Sequence, residues 1–144
     1  MRSMANHRQE LFLIVALAAG AGALAMLLLF DPATAGVFPP CPLRYFTGLY
    51  CPGCGSLRAM HQLLHGILRA AWALNPLTVL LLPFLIYGAA SYASRELRGK
   101  YLPQVFLPAI CIRALYAVII LFGIARNLPF HPFDWLAPGA MLHP

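Results

Sequence analysis

Acidic residues are scarce: four Asp and Glu stand among 144 residues, against ten Lys and Arg. So few carboxylates leave almost no candidates for paired acid–base catalysis. The chain also lacks a Ser-His-Asp set and a phosphate-binding glycine loop, so a catalytic role has little to stand on. Charge of either sign is thin, at 10%, while 61% of residues are hydrophobic and mean hydropathy is +0.75. That is too little polar surface for an ordinary soluble domain, and it points to an integral membrane protein. The net charge of +6 then bears on orientation in the bilayer, and no nucleic-acid partner is expected.

What is present in quantity is apolar chain. Residues 11–30 carry no charge, and twenty residues at about 1.5 Å each match a hydrocarbon core of about 30 Å. Arg2 and Arg8 precede this run and Ala33-Thr34-Ala35 has the small-x-small form of a cleavage site. The run exceeds the length of an ordinary signal h-region, so an uncleaved anchor is the expectation. A second span is expected at about 76–94, with Pro76 suited to a first helical turn and Pro83 a place for a kink. A third is expected at about 110–128. Starting it there lets Arg113 and Arg126 snorkel to opposite interfaces, since an arginine at the bilayer centre costs about 2.5–3.5 kcal/mol. Residues 101–109 are then a proline-broken interfacial segment.

Orientation follows from Arg95, Arg98 and Lys100, which crowd the short loop between the second and third spans. Basic loops stay in the cytoplasm. The N-terminus is therefore inside, and the loop of residues 31–74 lies on the outer face of the cell's inner (plasma) membrane. Small residues in the first and second spans, Gly20, Gly22 and Gly88 among them, suggest close helix packing. The expected fold is all-α: one membrane domain over 1–144, a bundle of three transmembrane helices plus one amphipathic interfacial helix. Its expected partners are the bilayer and other membrane subunits.

The 31–74 loop holds three of the four cysteines. Its first half is rich in proline, with Cys41 among Pro39, Pro40 and Pro42. An amphipathic helix is expected to follow, with Leu57, Met60, Leu64, Leu68 and Ala71 on one face. Arg58, His61, Gln62, His65 and Arg69 share the other, as in a helix lying in the interface.

Cys51-Pro52-Gly53-Cys54-Gly55 is the chemical centre of that loop. Two thiols at this spacing on a tight turn resemble half of a zinc knuckle, which needs two further ligands. Cys41 is one candidate; His61 and His65, at i and i+4, are additional candidates. An oxidising outer face would instead favour a disulfide among Cys41, Cys51 and Cys54. The Cys-x-x-Cys pair before a helix also admits thiol exchange, which makes a membrane thiol oxidoreductase the alternative to a structural or assembly subunit. Haem attachment lacks its histidine, because Gly55 follows Cys54. Cys111 falls in the third span and reads as a small buried hydrophobe.

Cys41-Pro42, Thr47-Gly48, Cys51-Pro52-Gly53-Cys54-Gly55, Arg58-Ala59, Leu64, Gly66 and Asn75-Pro76-Leu77 together resemble the bacterial membrane family known as domain of unknown function 2752. The resemblance covers about residues 38–85. It implies that Cys41, Cys51, Cys54 and Arg58 act as a unit, with Gly55, Asn75 and Pro76 as associated positions. This chain departs from the pattern at Leu57, where the family has threonine, and His61 and His65 are not part of it. No activity comes with the resemblance.

Overall fold

The computed structural model describes residues 2–98 and 108–139, and among them every regular element is helical. In order these are α1 (Arg2–Leu29), α2 (Pro42–Thr47), α3 (Ser56–Leu64), α4 (Leu68–Leu74), α5 (Pro76–Arg98), α6 (Ala109–Ala125) and a 3-10 turn, Phe133–Leu136. Residues 99–107, which hold part of the orientation loop and most of the expected interfacial segment, lie outside the described residues.

Among the described residues, two helices are long and apolar enough to cross a membrane, over Leu11–Leu29 and Pro76–Arg95. The third apolar helix is shorter, seventeen residues, or about 26 Å at the α-helical rise. It stops at Ala125 instead of Leu128. The reason is tertiary: Arg126 and Asn127, immediately beyond its end, bond to the cysteine loop. Arg126 is 1% exposed, so it turns into the protein and does not snorkel as expected. Arg113 sits near the start of α6 and is exposed, in keeping with a helix that begins near residue 110.

The chain forms two compact units. One comprises Met1–Met26 and Leu82–Phe106, the other Leu27–Leu81 and Leu107–Pro144. In the first, a Cβ built at Gly20, Gly22 or Gly88 would meet nothing within 4 Å. These glycines therefore mark open helix surface, not the close helix packing expected of them. Cys111, in the second unit, is likewise exposed on α6 instead of buried.

The second unit has a small core of Ala59, Ala71 and Leu74, with Leu63 and Val79 packed against it. It forms because the expected single amphipathic helix is two. Gly66 adopts φ 76°, a left-handed conformation that only glycine takes without strain. Ile67 N–H reaches Gln62 C=O and Gly66 N–H reaches Leu63 C=O, which is the paired bonding of a Schellman helix end. The chain then folds α4 back on α3. Ala59 and Leu63 line the resulting seam, while Leu57 and Leu68 of the expected stripe are exposed.

Candidate metal centre

Cys41 directly precedes α2, whose first residue is Pro42 and whose last turn ends at Gly48 in the left-handed conformation. The following strand of backbone brings Tyr50 and Cys51 to the knuckle. There Cys54 N–H donates to Cys51 C=O at 3.0 Å, and Cys51 N–H points at Cys54 Sγ at 3.2 Å. The turn closes through Gly55, at φ 84°. A Cβ there would lie 2.7 Å from Leu74 C=O and 3.3 Å from Pro138. Only glycine fits this position, both for its backbone angle and for the approach of α4.

The three sulfurs converge. Cys51 Sγ is 3.1 Å from Cys54 Sγ and 3.3 Å from Cys41 Sγ, and all three lie within 4.8 Å of one another. They are free thiols, well beyond the covalent S–S length of about 2.05 Å. Thiolates around one tetrahedral ion at about 2.3 Å stand about 3.8 Å apart, so sub-ångström side-chain movements would let this set hold a single metal ion.

The thiols are not equivalent. The backbone N–H of Arg44, and then the Cys51 thiol, favour the Cys41 thiolate and lower its pKa from 9.0 to about 7. Burial, reinforced by Cys51, pushes the Cys54 thiol up to about 12. A metal ion would have to displace the Cys54 proton, and its affinity would depend on pH accordingly.

His61 and His65 are not brought to the sulfurs. His61 Nδ1 bonds to Leu27 C=O, and His65 Nε2 stands 3.2 Å from Leu28 C=O. Their rings contact each other edge-on at 4.5 Å between centroids. The last carbonyls of a helix have no intrahelical donors, and these histidines supply donors to the end of α1. The i, i+4 spacing did put both rings on one face; that face meets a helix end instead of a metal. In this arrangement they cap the end of α1.

Asn75 and Pro76 begin α5. Asn75 is fully buried, and its Oδ1 accepts from Thr78 N–H at 3.1 Å, as an N-cap residue does. Its Nδ2 faces Pro52 C=O at 2.9 Å, Cys54 C=O at 3.3 Å and Ser56 Oγ at 3.1 Å. One side chain thus starts a helix and fixes the knuckle. Arg58 lines the cleft beside the thiols.

Two residues beyond α6 complete the clamp, and their role has no local sequence mark. Arg126 Nη1 donates to Cys51 C=O at 3.0 Å and Pro52 C=O at 3.2 Å. Asn127 accepts from Tyr50 N–H at 2.8 Å and donates to Tyr50 C=O at 2.8 Å, matching that residue's backbone in both directions. Gly123 permits the contact, since a Cβ there would fall 2.8 Å from Pro52 Cγ. The guanidinium also lies over the Phe122 ring at 4.9 Å. Its Nε and Nη2 have no hydrogen-bond partner among the described residues. A buried cation is costly unless negative charge stands near it, and here the nearby groups able to carry that charge are the Cys54 and Cys51 thiols and then the Tyr50 phenol.

Residues 41–89 match the family described as Protein of unknown function (DUF2752), in agreement with the resemblance carried by the cysteine motif. The matched segment starts at Cys41 and contains all three clustered thiols together with Gly55, Arg58, Asn75 and Pro76. Gly123, Arg126 and Asn127 lie beyond it. No curated protein and no solved structure matches the chain.

Proposed function

We propose that this chain is a multi-pass membrane protein whose cysteine loop holds one thiophilic metal ion, zinc by its ligand chemistry, and that it serves as a structural or assembly subunit. The observation that carries this reading is the convergence of Cys41, Cys51 and Cys54 within 4.8 Å. Thiolate donors favour zinc or copper(I) over magnesium or calcium. The backbone of the knuckle is held by Asn75, Arg126 and Asn127, which leaves the sulfurs little freedom to disperse.

In this reading α1, α5 and α6 all cross the membrane, with α6 the shortest. The C-terminal ends of α1 and α6 and the N-terminal end of α5 belong to the unit that carries the cysteines. Alternating passage through a bilayer would put those three ends on one side, and the basic second loop would make that side the outer one. The bonds from His61 and His65 to Leu27 and Leu28 favour retention of α1 as an anchor over its removal as a signal.

The test is elemental analysis combined with thiol counting on protein purified under reducing conditions. About one zinc per chain, lost in Cys51→Ser, is the expected result; metal-free protein with three titratable loop thiols would overturn it. A membrane-impermeant maleimide applied to intact cells should label metal-stripped Cys41 if the loop is outside. The thiol oxidoreductase alternative has the 3.1 Å approach of Cys51 to Cys54 in its favour. It requires their disulfide to exchange with a thiol or quinone, and a bond inert to both removes it.

A further inference from the structure

Three protein sulfurs do not complete a tetrahedral zinc or cobalt site. Among the described residues no fourth cysteine, histidine or carboxylate joins the cluster, and His61 and His65 are engaged with the end of α1. The sulfurs instead line an open cleft of about 520 Å³, a size that suits a small-molecule ligand. Its walls carry two different chemistries. Arg44 and Arg58 supply positive charge, while Phe38, Pro39, Leu57 and Pro138 supply apolar surface. Arg44 is held in place by stacking 3.9 Å above the Tyr50 ring.

The formal charges decide what such a cleft would take. A divalent ion on three thiolates has net charge minus one, which the buried Arg126 cancels. Arg44 and Arg58 then remain as a surplus of positive charge facing the open side. A neutral or cationic fourth ligand would leave that surplus unmet. An anion would meet it at the ion itself and at the arginines.

We propose that the cleft is the binding site for an amphipathic organic anion, whose carboxylate or phosphate oxygen takes the fourth position on the metal and whose apolar body lies against Phe38, Pro39 and Leu57. This rests on the metal reading above, and it changes the site from a closed structural knuckle to one with an exchangeable ligand. The anion could arrive as a free solute or as the headgroup end of an anionic lipid. The chemistry at the metal is the same for both.

Cobalt(II) loaded into the full-length reduced protein in a neutral detergent gives a visible spectrum sensitive to its fourth ligand. Titration with octanoate should shift the cobalt bands saturably, and acetate should need at least about tenfold higher concentration because it lacks the apolar body. Arg44→Gln and Arg58→Gln should each weaken octanoate severalfold, and together by about tenfold or more, without loss of cobalt. If nanodiscs containing phosphatidylglycerol produce the shift and phosphatidylcholine nanodiscs do not, the lipid is the source, which also supports the site. Bound cobalt whose three-sulfur spectrum answers to none of these anions would overturn this inference and leave the metal reading intact. Failure to bind cobalt or zinc at all would overturn both.

Discussion

Arg126→Gln is expected to separate metal affinity from folding. The wild-type guanidinium is buried and donates to the backbone C=O of Cys51, itself one of the clustered thiol residues, at 3.0 Å. With three thiolates and a divalent ion, the centre carries one net negative charge. Coulomb's law gives about 2.8 kcal/mol for one unit charge pair taken at about 6 Å and an effective dielectric constant of about 20. Its loss corresponds to about a hundredfold weaker zinc binding. The metal-free protein should respond far less. The substitution removes two charge-assisted hydrogen bonds of about 1.5–3 kcal/mol each, but it also removes the several-kcal/mol desolvation penalty of a buried cation. Those effects oppose each other. Competition against a chromophoric zinc chelator gives the affinity, and circular dichroism through thermal unfolding gives the stability. Arg126→Lys, which keeps the charge without the planar fork, should recover most of the affinity, to within about tenfold of wild type. A folded Arg126→Gln protein that binds zinc within about threefold of wild type would refute charge compensation as the role of this residue.

Other substitutions read other parts of the centre. Gly55→Ala should destabilise the protein by at least about 1–3 kcal/mol and lower metal occupancy, because its Cβ would lie 2.7 Å from Leu74 C=O at φ 84°; wild-type melting and zinc content would contradict that geometry. His61→Ala and His65→Ala should each cost about 0.5–1.5 kcal/mol of stability by uncapping α1, with zinc stoichiometry unchanged; loss of zinc without loss of stability would restore them as ligands. The metal-free thiols should titrate in opposite senses. Cys41 falls from 9.0 to about 7 on folding, so its ionisation should raise stability as pH rises from about 7 to about 9. Cys54 rises from 9.0 to about 12, so stability should fall from about pH 9 toward 12. Cys41→Ser should abolish the rise and Cys54→Ser the fall, as measured by denaturant midpoints against pH. In the same metal-free protein, iodoacetamide at neutral pH should modify Cys41 before Cys54, and mass spectrometry of partial digests would show the reverse order if the assignment is wrong.

Much of the site was legible locally. Cys-x-x-Cys on a Pro-Gly turn brings two sulfurs together through short-range geometry, and Asn75-Pro76 opens a helix by capping rules that operate within four residues. Gly66 also carried a readable mark as a departure from helix, although the regular spacing of Leu57, Met60, Leu64 and Leu68 favoured continuing through it. The stop won because the Schellman bonds satisfy the end of α3 and folding back buries Ala59 against Ala71 and Leu74. The placement of the histidines was hidden for a related reason. Spacing fixes which face of α3 they share, but says nothing about which neighbour that face meets.

The sequence by itself determined the apolar runs, the all-helical class, the three candidate thiols and the turn that pairs two of them, because each depends on composition or on residues a few positions apart. Only the tertiary structure decided that Cys41 closes on the pair, that His61 and His65 serve the end of α1, and that Arg126 and Asn127 hold a loop about seventy-five residues earlier in the chain. Arg126 looked like a membrane-edge cation because hydropathy scores a residue against its sequence neighbours. Its physical environment is set by carbonyls and sulfurs that the fold brings to it, and no local pattern encodes that meeting.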